Sequence, residues 1–101
     1  VNDIAERDRR MLDVIRSLRE GEVVTYGDIA DDAGYPGLSR HVGHLLATAD
    51  VELPWWRVVN ASGRLVPGSE VEQGQRLIGE GVHISDGRVR RARFGRFSGR
   101  F

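Results

Sequence analysis

Three groups of residues in this sequence can do more than pack: Thr25 with Tyr26, the run Ser39-Arg40-His41, and Trp55-Trp56-Arg57 behind Pro54. None of them holds a nucleophile beside a base. Cysteine is absent, which removes disulfides, thiolate zinc sites and thiol nucleophiles together. Ser62 and Ser69 follow the tryptophans, but neither has a histidine close in sequence, and a serine needs a strong base beside it before it attacks. His41 and His44 stand one helical turn apart without acidic partners, and His83 is distant, so solvated or helix-capping histidines are expected and no metal. Donors and flat surfaces remain. The hydroxyls of Thr25 and Ser39 could donate to a phosphate, yet both equally suit helix caps. Trp55 offers a flat apolar face, and either tryptophan of the pair could simply pack in the core.

The elements around these residues are legible from periodicity and punctuation. Asp3 and Glu6 have capping-box spacing, and Ile4, Met11, Leu12, Ile15 and Leu18 share one helical face up to Gly21. Arg7, Arg9, Arg10, Arg16 and Arg19 lie mostly off that stripe among acids and predict a solvated face. Thr25 is placed to cap a short helix ending at Gly34, Tyr35-Pro36-Gly37 breaks the chain, and Ser39 is placed to cap a second helix burying Val42, Leu45, Leu46 and Ala49. Two short helices across such a turn predict a helix-turn-helix, with Ala30 and Gly34 allowing close approach and a turn longer than in the commonest repressors. Residues 55–59 predict a short buried segment, and 60–63 a turn from which Arg64-Leu65-Val66 pairs back as a small hairpin. A further helix is expected from about Val71 to Glu80 through Val71, Leu77 and Ile78, against the resistance of Gly74 and Gly79. Residues 82–84 and the region near Val89 add strand or irregular cover. The fold class is therefore mainly α with a small β-hairpin.

Composition sets the outer limits. A chain of 101 residues, 40% hydrophobic, suits one domain over 1–101. No apolar run approaches the roughly 18 residues that span a bilayer, and no basic, then hydrophobic, leader opens the chain, so a cytoplasmic protein without membrane contact is expected. The formal net charge is zero, and bulk electrostatics alone makes no case for nucleic acid. The distribution is uneven: acids dominate the first half, while 88–101 carries Arg88, Arg90, Arg91, Arg93, Arg96 and Arg100 with no acid. That stretch can dock phosphates, and its glycine- and arginine-rich end has the composition of a disordered tail.

Gly21-Glu22-Val23-Val24-Thr25-Tyr26, then Ser39-Arg40-His41-Val42-Gly43, then Pro54-Trp55-Trp56-Arg57-Val58-Val59-Asn60, in this order and spacing, resemble the DNA-binding domain of O6-alkylguanine-DNA alkyltransferases. The likeness runs from roughly Met11 through Val82. Active alkyltransferases carry Pro-Cys-His-Arg-Val; here Trp55 stands at the cysteine position and Trp56 at the histidine position. The chain thus resembles the alkyltransferase-like proteins, in which tryptophan replaces the acceptor cysteine, and departs from them in losing the histidine. The chemistry agrees, because displacement at an alkyl carbon needs an activated soft nucleophile such as a thiolate.

The resemblance implies a winged-helix-like domain that binds double-stranded DNA containing O6-alkylguanine, flips the damaged nucleotide and flags it for nucleotide excision repair proteins. It implies no catalysis, no cofactor and a monomer, nucleoid-associated if bacterial. By the same resemblance Arg40 is the finger that fills the vacated stack, and Tyr26 presses on the phosphate of the rotating nucleotide, with Thr25 and Ser39 near it. Trp55, Trp56 and a buried Val58 are expected at the lesion pocket with Gly68 and Ser69 on its edge, and Arg64 is the nearest arginine to that edge. Arg57 is structural, and Glu80 matches the glutamate of the active proteins' proton relay, left without a partner by Trp56. Two rivals stand beside this reading: a sequence-specific helix-turn-helix transcriptional regulator, and an enzyme with another nucleophile.

Overall fold

The computed structural model describes residues 3–99, the side chains of Asp3 and Ile4 excepted, so the anticipated capping box at Asp3 and the end of the arginine stretch at Arg100 lie outside the described residues. Helix α1 (Asp3–Arg16) buries Met11 and Ile15 completely, with Leu18 just beyond its end. Its outer face is laced by pairs between Glu6 and both Arg9 and Arg10, and between Asp13 and both Arg9 and Arg16. These exposed pairs each contribute at most about 1 kcal/mol and keep the face soluble.

The next element was not anticipated. Glu22–Thr25 forms strand β1, flanked on one side by β2 (Val58–Val59) and on the other by β5 (Phe94–Gly95), both parallel to it. Because strand side chains alternate, neighbours in β1 and β2 serve opposite cores. Val24 and Val58 join Met11, Ile15, Ile29, Ala30 and Val42 on the side of the first three helices, whereas Val23 and Val59 join Leu65, Leu77, Val82, Val89 and Ala92 on the other. The small sheet is thus a partition between two apolar clusters.

Helix α2 (Tyr26–Asp32) starts in a full capping box: Thr25 Oγ1 accepts from the Asp28 amide, and Asp28 Oδ2 accepts from the Thr25 amide. The chain turns through 33–38, and α3 (Ser39–Thr48) packs against α2. Here Ser39 departs from expectation. Leu38 holds the N-cap position, so Ser39 is already inside the first turn and caps nothing.

The anticipated hairpin of 55–59 with 64–66 does not form. Trp55–Arg57 is a single 3₁₀ turn leading into β2, and β2 is taken by β1. The Asn60 side-chain carbonyl accepts from the Ser62 and Arg64 amides, turning the chain so that Arg64 bridges Arg88 instead. The hairpin lies later, between β3 (His83–Ser85) and β4 (Arg88–Arg91), joined at Asp86 and Gly87 with φ of 54° and 70°. Asp-Gly favours such a two-residue turn because both positions need positive φ.

Helix α4 (Glu70–Gly79) also rotates relative to expectation: Gln73, Gly74 and Leu77 face inward, while Val71 and Ile78 are 75% and 61% exposed. Gly74 lies against Leu65 on this face, where a β-carbon would meet that side chain at an ordinary contact distance of 3.7 Å. Gln73 is fully satisfied, its amide donating to the Trp56 and Val58 carbonyls and its oxygen accepting from the Val66 amide. The stretch from 88 onward supplies β4, where strand or irregular cover was expected near Val89, and then β5 within the part whose composition is that of a tail. Backbone pairing explains it, since the Arg93 and Phe94 amides both donate to the Gly21 carbonyl. No helix among the described residues is long and apolar enough to cross a membrane.

Gly95 is where β5 meets β1, at φ +86°, and a β-carbon there would approach the Val23 carbonyl oxygen to 2.5 Å. Gly95→Ala is expected to destabilise the fold by about 2 kcal/mol or more, combining left-handed strain with the clash. Urea unfolding of the variant beside the parent checks this, and an unchanged midpoint contradicts it.

Candidate functional site

The two tryptophans leave the 3₁₀ turn in different directions, ring centroids 6.3 Å apart and planes at 88°. They border a cleft of about 570 Å³ whose walls include Leu46 of α3, Leu53, Arg57, Arg16 and Arg76. This volume falls in the range of small-ligand sites. Arg76, which the sequence reading passed over, stands over the Trp56 ring at 4.5 Å while paired with Glu72. Leu46 was assigned to packing alone. The other anticipated pocket residues do not border this cleft: Val58 is fully buried in the core, Gly68 and Ser69 form the approach to α4, and Arg64 is exposed beside β4.

Beneath the tryptophans lies a polar centre that the sequence did not reveal. The Glu80 carboxylate accepts from Trp56 Nε1 at 2.8 Å, Arg57 Nε at 3.0 Å, Arg57 Nη2 at 2.8 Å and the Gly21 amide at 2.9 Å. Arg57 Nη1 continues to the Leu18 carbonyl. The expectation that Trp56 leaves Glu80 without a partner is therefore wrong. An indole N–H reaches the carboxylate and replaces one hydrogen bond, but it is a donor only and cannot take a proton back. Burial alone raises the Glu80 pKa; the bonds from Arg57, Gly21 and Trp56 outweigh it, and the net value is lowered.

A second surface gathers at the start of α3. Tyr26, Ser39, Arg40 and Gly43 border one shallow depression, the tyrosine ring lying at ordinary contact distance, 3.9 Å, from where a β-carbon at 43 would stand. Arg40 is exposed and makes no hydrogen bond or ion pair with any described residue. That distinguishes it from most arginines here. Burial raises the Tyr26 phenol pKa, so it stays a neutral donor at physiological pH. Thr25 is buried, its oxygen already accepting at the cap.

His41 is neither solvated nor capping. Its Nε2 lies 2.6 Å from Asp8 Oδ1 and 3.0 Å from Arg7 Nη2, tying α1 to α3 directly behind Arg40. For Asp8, burial raises the pKa, but bonds from His41 and Arg7 prevail and lower it. A partner for His41 in α1 is a tertiary contact that spacing within α3 cannot signal.

Comparison with known proteins locates this arrangement. The family model described as 6-O-methylguanine DNA methyltransferase, DNA binding domain, matches residues 6–82. A DNA base-flipping protein of Vibrio parahaemolyticus is 43% identical over 77 residues, covering 72% of this chain and 77% of its own. Alkyltransferase-like protein 1 of Schizosaccharomyces pombe is 35% identical over 81 residues, covering 74% of this chain and 75% of its own. The solved structure of S. pombe Atl1 in complex with damaged DNA containing O6-carboxymethylguanine superposes with a TM-score of 0.72 at 32% identity, covering 80% of this chain and 81% of that one.

The Glu80 centre makes a direct prediction. Glu80→Gln removes the charge facing Arg57, whose side chain is only 15% exposed, and should destabilise the protein by about 3–5 kcal/mol at neutral pH. Since the folded pKa of Glu80 lies below its unfolded value, its stabilisation is complete above the unfolded pKa of about 4.3 and is lost as pH falls through the folded one. Unfolding curves at neutral pH and at about pH 3 should show the gap between parent and variant shrinking in acid. A pH-independent gap contradicts this assignment.

Proposed function

The chain belongs to the family of the 6-O-methylguanine DNA methyltransferase DNA-binding domain, and from that membership we propose that it binds duplex DNA, extrudes an O6-alkylated guanine into the tryptophan-bordered cleft and holds it there without removing the alkyl group. One observation carries the reading. Helix α3 presents the unpartnered Arg40 beside Tyr26 at its start and Leu46 to the cleft at its other end, six residues or about 9 Å away. In this reading α2 and α3 act as the helix-turn-helix, and the groups that open the stack and the cleft that receives the base ride on one rigid element. Arg40 fills the space the base leaves, and Tyr26, neutral and half-buried, supports the rotated nucleotide. Alkylation at O6 already weakens pairing, which lowers the cost of extrusion and favours damaged over intact guanine.

Retention without transfer follows from the residues present. The chain has no cysteine, Trp55 fills the acceptor position, and the Glu80 carboxylate is committed to Arg57 and to an indole that cannot relay protons. The complex then persists and serves as a mark, with nucleotide excision repair proteins as the partners that act on it. A sequence-specific regulator built on the same helices would instead select a base sequence irrespective of alkylation.

Arg40→Ala should weaken binding to an O6-methylguanine duplex by about 1–3 kcal/mol, the size of stacking contributions to bases, with the fold unchanged. Titration with a labelled lesion duplex measures it, and an undiminished affinity removes Arg40 from the mechanism. Trp55→Cys alone should transfer methyl groups poorly, because a thiol of pKa near 8.5 is only a few per cent thiolate at neutral pH. The double change Trp55→Cys with Trp56→His restores a group able to pass a proton toward Glu80 and should exceed the single change by more than additivity. Intact-protein mass after incubation with methylated duplex reads both, and rapid transfer by Trp55→Cys alone refutes the missing-relay account.

A further inference from the structure

The arginines after residue 87 are not equivalent once folded. Arg90 pairs with Asp86, and Arg93 stands over Phe94. Arg96 differs, because it borders a cleft of about 340 Å³ shared with Tyr26, Ser39 and Asn60, on the side of the molecule where Arg40 is displayed. It reaches that place from beyond residue 82, where the family match ends.

Its guanidinium is held in position. Arg96 Nε lies 3.1 Å and 3.0 Å from the two Asp28 carboxylate oxygens, and Nη2 also donates to Asp28 Oδ1. Asp28 is itself fixed by the Thr25 amide in the capping box, so the arginine is anchored to the first turn of α2. An arginine has five N–H donors, and no described group engages those of Nη1. Nearby, Asn60 uses its side-chain oxygen within its own turn, leaving its amide hydrogens available, and the exposed Ser39 hydroxyl caps nothing. The cleft therefore collects donors of three kinds around one exposed cation tethered to Asp28. Asp31 is the acid that borders it, its carboxylate making no hydrogen bond with a described residue, and it opposes capture of a small free anion. A phosphate delivered on a duplex already engaged at Arg40 and Tyr26 faces a smaller entropic cost.

We propose that Arg96, with Ser39 and Asn60, grips one backbone phosphate of the duplex beside the nucleotide displaced at Tyr26. The proposal rests on the DNA-binding reading above and adds to it a contact from outside the family-matched region. Because a phosphate contact carries no base information, it strengthens binding to damaged and intact duplex alike.

The test measures affinity of the parent, Arg96→Gln and Asp28→Asn for an O6-methylguanine duplex and its unmodified counterpart over a range of salt. Arg96→Gln can still donate to Asp28 but has lost its charge; it should reduce affinity for both duplexes by the same factor, roughly eightfold at about 0.1 M salt, and lower the slope of log affinity against log salt by about one. Asp28→Asn keeps the guanidinium and loosens its anchor, and it should keep the parent slope. An unchanged slope in Arg96→Gln overturns the proposal, as does an equal loss of slope in both variants, which would make Arg96 only a fastening for α2. Failure of the parent itself to bind either duplex brings down the functional reading as a whole, whereas parent binding with an unaltered variant brings down this contact alone.

Discussion

A carboxylate with only 9% of its surface exposed must be answered by donors from every side, and Glu80 determines how three distant segments meet. It joins the end of α4, the 3₁₀ turn bearing both tryptophans and the loop entering β1, with Arg57 extending the tie to the end of the first helical region. Removing any one donor leaves charge in a poorly solvated place, so the segments hold one another. The orientation of Trp55 is a consequence, because its neighbours at 56 and 57 are both fixed to the same carboxylate.

That arrangement also separates binding from chemistry. A group at position 56 that could exchange its proton would let Glu80 act as a distant base, whereas the Trp56 indole gives structure and withholds reactivity. The same substitution enlarges the aromatic surface at the cleft, with Arg76 lying over it. The partitioning sheet keeps this site rigid: Val58 and Val59, immediately after the turn, are both fully buried and pin it to separate cores.

Local signals in the sequence were sufficient for the helices and their order, since caps, glycines and apolar periodicity act within a few residues. Thr25 shows this best, as its cap and the short helix after it were legible from Thr25 at one end and Gly34 at the other, while the reciprocal bond from Asp28 came only with the structure. Long-range pairing was not. The β1 strand is four residues long and obtains its partners from 58–59 and 94–95, so nothing nearby in sequence distinguishes it from a loop. The later arginine stretch read as a phosphate-docking tail for the same reason, its order among the described residues deriving from contacts with Gly21 and Asp28. In α4, exposed Val71 and Ile78 outweighed Gln73 in a hydrophobic count, although buried Gln73 is the residue whose hydrogen bonds decide the helix's rotation. Tyr26, Arg40 and Trp55 were located through the family resemblance, and the structure adds the partners that position them, above all Glu80 and His41.

The central claim is that the cleft beside Trp55 and Trp56 receives an alkylated guanine in preference to a normal one. Its most direct measurement is competition between two duplexes of identical sequence, one carrying a single O6-methylguanine, for the unmodified protein at fixed salt. The account predicts that the damaged duplex displaces the intact one at much lower concentration, whatever sequence surrounds the lesion. Equal competition by the two duplexes, or a preference that follows the flanking sequence and ignores the methyl group, would contradict it.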